Sequence, residues 1–362
     1  MINHPFARVV LAVASLLFLS GGEVIAAEAR GIQFIGFTNL SDFQKSEDAG
    51  EMSLTSIEVK TTCTWNELIA SWNALVPSNA WLRVEARGFH EEKSTKFYNM
   101  GLWSGDPAER KSARHEKDDD GDVSTDTLTL KQPGDRVQLR LVLGGEKRSA
   151  IQIRFAGLCL TDTKATNAPL EPNRAAWGKT IDVCEKSQMA YPNGSVLCSP
   201  TTVSMLMTWW SKELKRPELD HDVPEIEKEV YDANWHGTGN WSFNMAYPGC
   251  SDGLRAYVTR LSDVSELEDW IAAGIPVGLS VCYDRLRGKG PGPNGHLVVC
   301  VGFTAEGDVI LNDPGTSKNV RKTFPRKNLI NAWANSKNAV YLMYPETARV
   351  PADRFVHWFF DR

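Results

Sequence analysis

The sequence predicts an α+β domain, an N-terminal helix packed on an antiparallel sheet, preceded by an all-β sandwich. Three observations carry this. The chain has 362 residues, more than twice the roughly 150 of an ordinary domain. Its first half alternates apolar and polar residues as strands do. Its second half opens on a helical apolar period and continues in apolar strand-like runs. Composition agrees with globular folding: 42% hydrophobic and 23% charged residues exclude wholesale disorder, collagen and coiled coil. The net charge is −5, from 40 basic and 45 acidic residues. No basic field attracts nucleic acid, and no polybasic segment targets an anionic membrane.

Residues 1–29 read as a secretory signal peptide. Arg8 precedes the apolar run 9–20 (VVLAVASLLFLS), and small residues follow at Ala26, Ala27 and Ala29. The run falls short of the about 20 residues a membrane span needs, and no longer one follows. The expectation is a secreted or periplasmic protein with no transmembrane segment. Export alters the reading of the seven cysteines, Cys63, Cys159, Cys184, Cys198, Cys250, Cys282 and Cys300. Pairing becomes possible, and an odd count leaves at least one thiol free. Cys63 with Cys159 and Cys184 with Cys250 are the candidate bridges. No C-x-x-C spacing points to structural zinc.

Residues 30–160 form the expected β-sandwich. Alternating runs occur at 81–87, 125–130, 137–143 and 150–155, with Pro133-Gly134-Asp135 and Gly144-Gly145 as turns. Lys117-Asp118-Asp119-Asp120-Gly121-Asp122 invites a calcium-loop reading. Aligned on Gly121, however, position 1 is Glu116 and position 12 is Thr127, so a solvated acidic turn is the better account. Trp65, Trp72, Trp81 and Trp103 are core candidates or, less favoured, a platform for a carbohydrate or cell-surface ligand. Residues 161–180 read as a linker, 181–348 as the second domain and 349–362 as a C-terminal tail.

The second domain begins with a helix over 198–215. Pro200 lies in its first turn, and Val203, Leu206, Met207 and Trp210 recur on one face. A short helix is expected over 266–273. Strands are expected at 276–283, 296–304, 309–312 and 339–344.

Three residues carry candidate chemistry. Cys198 stands where the first helix begins, and a helix N-terminus lowers a thiol's pKa. His296 opens a strand straight out of a Gly/Pro-rich loop. Asp313 ends the next strand. If 296–304 and 309–312 form a hairpin, His296 and Asp313 share one end of the sheet, where the carboxylate orients the imidazole. Taken singly, each residue has a bland structural explanation; together they suit nucleophilic catalysis. Gln188, ten residues before Cys198, is a weaker candidate for donating to an oxyanion.

These residues lie in longer motifs. Ser187-Gln188-Met189-Ala190-Tyr191-Pro192-Asn193-Gly194 with Leu197-Cys198-Ser199-Pro200-Thr201-Thr202 resembles papain-like cysteine peptidases of the bacteriocin-processing (double-glycine) type. Asn294-Gly295-His296-Leu297 and Asn312-Asp313-Pro314 resemble that family's later motifs. Gly237-Thr238-Gly239-Asn240-Trp241-Ser242-Phe243-Asn244 and Ala256-Tyr257-Val258-Thr259 resemble its exported stand-alone branch. Ser71-Trp72-Asn73-Ala74 and Met100-Gly101-Leu102-Trp103-Ser104 resemble the β-rich segment that precedes it there. The resemblance implies a papain-like fold, with Cys198 as nucleophile, His296 as general base and acid, Asp313 as orienting residue and Gln188 as oxyanion donor. It implies a peptide or protein substrate and no metal or organic cofactor. The step from Gln188 to Cys198 is longer than in most papain-like enzymes. Double-glycine specificity does not carry over to an exported chain without a transporter. Two rivals stand beside the peptidase: a non-catalytic binding protein on the same fold, and a transamidase or cell-wall peptide amidase using the same triad.

Overall fold

The computed structural model describes residues 29–361 apart from Pro293. The signal segment expected over 1–29 thus falls almost wholly outside the described residues. No helix among the described residues is long and apolar enough to cross a membrane.

The N-terminal half forms one curled sheet, which reaches twelve strands among the described residues by counting Trp358–Phe360 from the chain's end. Its longest member, Thr127–Gly145, buries Leu128, Leu130, Val137, Leu139, Leu141 and Leu143 on the alternation that a pleated strand imposes. Two local expectations are corrected. Pro133-Gly134-Asp135 is no turn: the strand runs through it, shifting register at Gly134, a bulge being where a strand tolerates proline. The run 125–130 is not one strand. The chain reverses at Thr125, whose φ is 58°, so Gly121–Thr125 pairs back onto Thr127–Gly145. The acidic segment makes the hairpin before it, with Asp118 Oδ1 accepting the Asp120 and Gly121 N–H groups at 2.9 and 3.0 Å. Trp65, Trp72 and Trp103 lie in the core. These three cannot form a sugar platform, Trp81 alone of the four is partly exposed, and a carbohydrate ligand for this half is unsupported.

The C-terminal half is a mixed α+β body. Its antiparallel sheet runs in the order Leu254–Arg260, Ala339–Pro345, Val277–Cys282, Gly295–Phe303, Val309–Asn312, Arg321–Phe324. The helix Cys198–Leu214 packs on it and is buried nearly all round from Ser199 to Ser211, wider than the single face expected. Several of its polar residues are satisfied internally: Thr201 Oγ1 donates to Leu197 O at 2.7 Å, Ser204 Oγ to His221 O at 2.7 Å, and Ser199 bonds the Tyr341 hydroxyl at 2.8 Å, whereas the buried Thr202 hydroxyl has no partner among the described residues.

The two halves share one hydrophobic core. Leu254–Arg260 is an edge strand, and the first half caps its open backbone with side chains. Asn73 Nδ2 donates to Ala256 O at 2.6 Å, and Asn73 Oδ1 accepts the Ala256 N–H at 3.1 Å. Ser71 Oγ accepts the Val258 N–H at 2.9 Å. Trp72, Trp103 and Phe243 meet edge to face across the same seam. Gly101 makes room: a Cβ there would lie 3.0 Å from Trp72 and 3.1 Å from Phe243. Before the sheet, Asn173 N–H and Trp177 Nε1 both donate to Glu268 at 2.7 Å. At the chain's end, Trp358–Phe360 adds a parallel strand beside Ile32–Phe37.

All seven cysteines are free, which corrects both candidate bridges. Cys184 Sγ faces Met205 O, whereas Cys250 Sγ donates to Ala74 O and Ala246 O. Cys63 and Cys159 are close enough to feel each other's charge, yet unbonded.

Candidate active site

The first turn of helix Cys198–Leu214 leaves N–H groups without intrahelical partners. The residue before it, Leu197, offers no side-chain cap. The Leu297 and Ser199 N–H groups and the His296 side chain all favour the Cys198 thiolate. Burial pushes the thiol up. The His296 side chain and these two N–H groups outweigh it and hold Cys198 below an ordinary cysteine. The residue remains partly accessible.

His296 stands near the start of strand Gly295–Phe303 and is 5% exposed. Asp313 follows the end of Val309–Asn312 and is 1% exposed. The two strands pair antiparallel, and His296 Nε2 meets Asp313 Oδ1 at 2.8 Å. The hairpin expectation therefore places them correctly. With Nε2 engaged, Nδ1 is the ring nitrogen left for the thiol. Burial pushes the imidazole down, but Asp313 and Cys198 hold it up at about 9. Burial also raises the Asp313 carboxyl, and His296, the Tyr283 hydroxyl and the Gly315 N–H together bring it below the usual range.

Gln188 is 4% exposed and belongs to the same site. Its N–H donates to Pro314 O at 3.0 Å, one residue past Asp313. Its side-chain Nε2 donates to Gly194 O at 2.5 Å, and Oε1 has no partner. One amide hydrogen is thus spent on the loop, and the second makes no hydrogen bond among the described residues. The loop folds tightly here: a Cβ on Gly194 would sit 2.4 Å from Gln188 O.

Sequence reasoning missed Tyr283 and Gly315. The Tyr283 ring lies 4.1 Å from the His296 ring at 35°, and its hydroxyl donates to Asp313 Oδ2 at 2.9 Å. Gly315 N–H donates to Asp313 Oδ1 at 3.0 Å. A Cβ at Gly315 would meet His296 Cε1 and Tyr283 Oη, both at 3.0 Å. The signal for Tyr283 was present. It follows a strand that pairs Val281 with His296 and Cys282 with Gly295, so its end of the hairpin is the His296 end.

Residues 180–341 match the peptidase C39-like family, and residues 31–159 match the peptidase C39 N-terminal domain. Together the two matches are those of a C39-like peptidase with its N-terminal domain. No curated protein matches the chain. The C39-like match points to cysteine peptidase activity on peptide or protein substrates. It also gives a role to the first half as the N-terminal domain of a C39-like peptidase, and here that domain supports the sheet on which the C39-like site is built. Among the described residues, no group of three or more His, Cys, Asp or Glu side chains is arranged to hold a metal ion.

Proposed function

We propose that this chain is an exported cysteine peptidase that cleaves peptide bonds through Cys198, His296 and Asp313 by way of a thioester. The observation that carries the reading is the Asp313–His296 pair at 2.8 Å, set beside a thiol held low at a helix N-terminus. The Cys198 thiolate attacks the substrate carbonyl carbon, and the carbonyl π electrons move onto oxygen. The Cys198 N–H and the free Gln188 amide hydrogen bind that oxyanion. His296, protonated on Nδ1 and held through Nε2 by Asp313, delivers its proton to the departing amine as the C–N bond breaks. Water then adds to the thioester. His296 takes one of its protons, the acid departs and the thiolate returns. No metal or organic cofactor enters these steps. The signal-like segment at 1–29 supports export, and in an oxidising compartment Cys198 requires a thiol reductant to stay active.

The test is iodoacetamide labelling of the purified chain against pH, read by mass spectrometry, for wild type and His296→Ala. Wild type is expected to label first at Cys198, with an apparent pKa well below about 8.5. In His296→Ala that value returns to or above the ordinary range. Equal labelling of Cys198 with and without His296 sinks the proposal. Above the His296 value of about 9, peptide turnover should fall, because the imidazolium that protonates the amine is lost.

A further inference from the structure

Two groups bind the oxyanion in the proposed mechanism, the Cys198 N–H and the Gln188 amide, and both rest on one turn. Gly194–Val196 is a short 3-10 turn that runs through Leu197 into helix Cys198–Leu214. Gln188 grips the first residue of the turn, donating Nε2 to Gly194 O at 2.5 Å. The last residue is gripped from another part of the chain, where Thr238 Oγ1 donates to Val196 O at 3.1 Å. Val196 is 60% exposed, so packing does little to hold it, whereas Thr238 is buried. Thr238 is itself fixed. Asn244 Nδ2 donates to Thr238 O at 2.7 Å, and Gly237, the residue before it, accepts the Asp232 N–H at 2.9 Å.

Asp232 ties this loop to the N-terminal domain. Its carboxylate is wholly buried, which is tolerated only with donors around it. Oδ1 accepts the N–H groups of Asn234 and Trp235 at 3.1 and 3.2 Å, and that of Ser112 in the N-terminal domain at 3.0 Å. Oδ2 accepts from Asn240 Nδ2 at 2.9 Å. Beside it Asn234 Nδ2 donates to Ser112 O at 2.7 Å, and the Ala233 N–H donates to Arg110 O at 3.0 Å. Asp126, also of the N-terminal domain, accepts the Trp241 N–H at 2.7 Å. An unbroken path of hydrogen bonds and short backbone thus leads from Ser112 to the residue two before Cys198. We infer that Thr238 is a positioning residue: the N-terminal domain, acting through Asp232, holds Thr238 in place, and Thr238 holds the turn that sets both oxyanion donors. The inference rests on the peptidase reading and gives the N-terminal domain a share in the chemistry.

The experiment compares two reactions of Cys198 in the full chain, with Cys198→Ala as background. With p-nitrophenyl acetate the thiolate adds to the ester carbonyl, the oxyanion forms and collapses, p-nitrophenolate leaves and an acetyl thioester remains. Iodoacetamide alkylates the same sulfur with loss of iodide and no oxyanion. The ratio of the two rates reports the oxyanion donors, whereas general damage to the thiol or the fold moves both rates together. Thr238→Val keeps the side chain's shape and removes the donor. It should lower the ratio by about tenfold to a hundredfold, the cost of a displacement of up to about 1 Å. Thr238→Ser should keep most of the wild-type ratio. Asp232→Ala should also lower the ratio, and adding Thr238→Val to it should lower it little further, because the two act in one path. If Asp232→Ala does not fold, Asn234→Ala, which cuts only the bond to Ser112 O, takes its place in that cycle. An unchanged ratio in Thr238→Val, or losses at the two positions that simply multiply, overturns the inference. Failure of the peptidase reading looks different, since wild-type Cys198 would then be slow with both reagents.

Discussion

Cys198 and Cys250 are both sheltered thiols, and they sit at opposite ends of helices. Cys198 opens Cys198–Leu214, and Cys250 follows Trp241–Gly249 as its C-cap. Burial raises both thiols. Cys250 ends at about 11, even with the Arg110 guanidinium nearby to favour its thiolate. Cys198 ends below the ordinary value. The difference lies in what faces the sulfur. Cys250 Sγ donates to two carbonyls, Ala74 O at 3.2 Å and Ala246 O at 3.3 Å, which stabilise S–H. At Cys198 the His296 imidazole and the Leu297 and Ser199 N–H groups favour S⁻. At Cys250 the Arg110 charge and the Trp103 side chain do not overcome burial, whereas at Cys198 the His296 side chain with two N–H groups does.

The sharpest way to break the contrast is to remove what holds the imidazole. Asp313→Ala leaves His296 without its Nε2 partner, in a place too buried for water to replace it. Turnover of a peptide substrate should fall on the order of 10³-fold or more, and the Cys198 labelling curve should move toward that of Cys250. Asp313→Asn should lose far less. Its carbonyl oxygen can still accept from His296 Nε2 and from Gly315 N–H, and its amide nitrogen can face the Tyr283 hydroxyl. Equal losses in the two variants would show that the negative charge matters and the acceptor geometry does not.

Gln188→Ala sharpens the contrast from the other side. In the proposed mechanism its second amide hydrogen serves the oxyanion and not the thiol. The expected loss in turnover is about 10²-fold to 10³-fold, the usual value of one oxyanion donor. The iodoacetamide rate at Cys198 should stay within about twofold, since alkylation forms no oxyanion. A parallel drop in both rates would mean that Gln188 serves only to shape the loop around Gly194.

What the sequence made legible follows the range of the forces involved. Cys198 at a helix start, His296 leaving a glycine-rich loop and Asp313 at a strand end are local signals, and one hairpin assumption joined the last two. The orientation of the Gln188 amide was not legible, because it depends on where Gly194 O lands after two tight turns. Tyr283 needed the register of two strands. The seam between the domains was the least legible part. Ser71-Trp72-Asn73-Ala74 reads locally as one more strand, whereas its function is to cap a backbone 183 residues away. The same distance hides the reason for Met100-Gly101-Leu102-Trp103-Ser104, whose glycine admits Phe243 from the other half. Pro133-Gly134 read as a turn because dipeptide preference knows nothing of the strands on either side.

The smallest expected effect isolates Cys250. Cys250→Ser keeps a donor for Ala74 O and Ala246 O, and it should leave turnover and Cys198 labelling unchanged. Stability should differ only in alkali, and the sign follows from linkage. The Cys250 thiol is raised from 9.0 to about 11 in the folded chain, so between those values the folded state keeps a proton that the unfolded state has released. Folding stability from this group is then complete below about pH 9 and is lost as pH rises through about 11. Serine does not titrate there, so the melting temperatures of wild type and Cys250→Ser should run parallel up to about pH 9 and then diverge, wild type falling faster. If the two curves stay parallel, Cys250 is not the high-pKa thiol that its carbonyl partners imply. If instead Cys250→Ser slows the labelling of Cys198, the seam that Cys250 helps to pack is coupled to the site, and the two thiols are not independent.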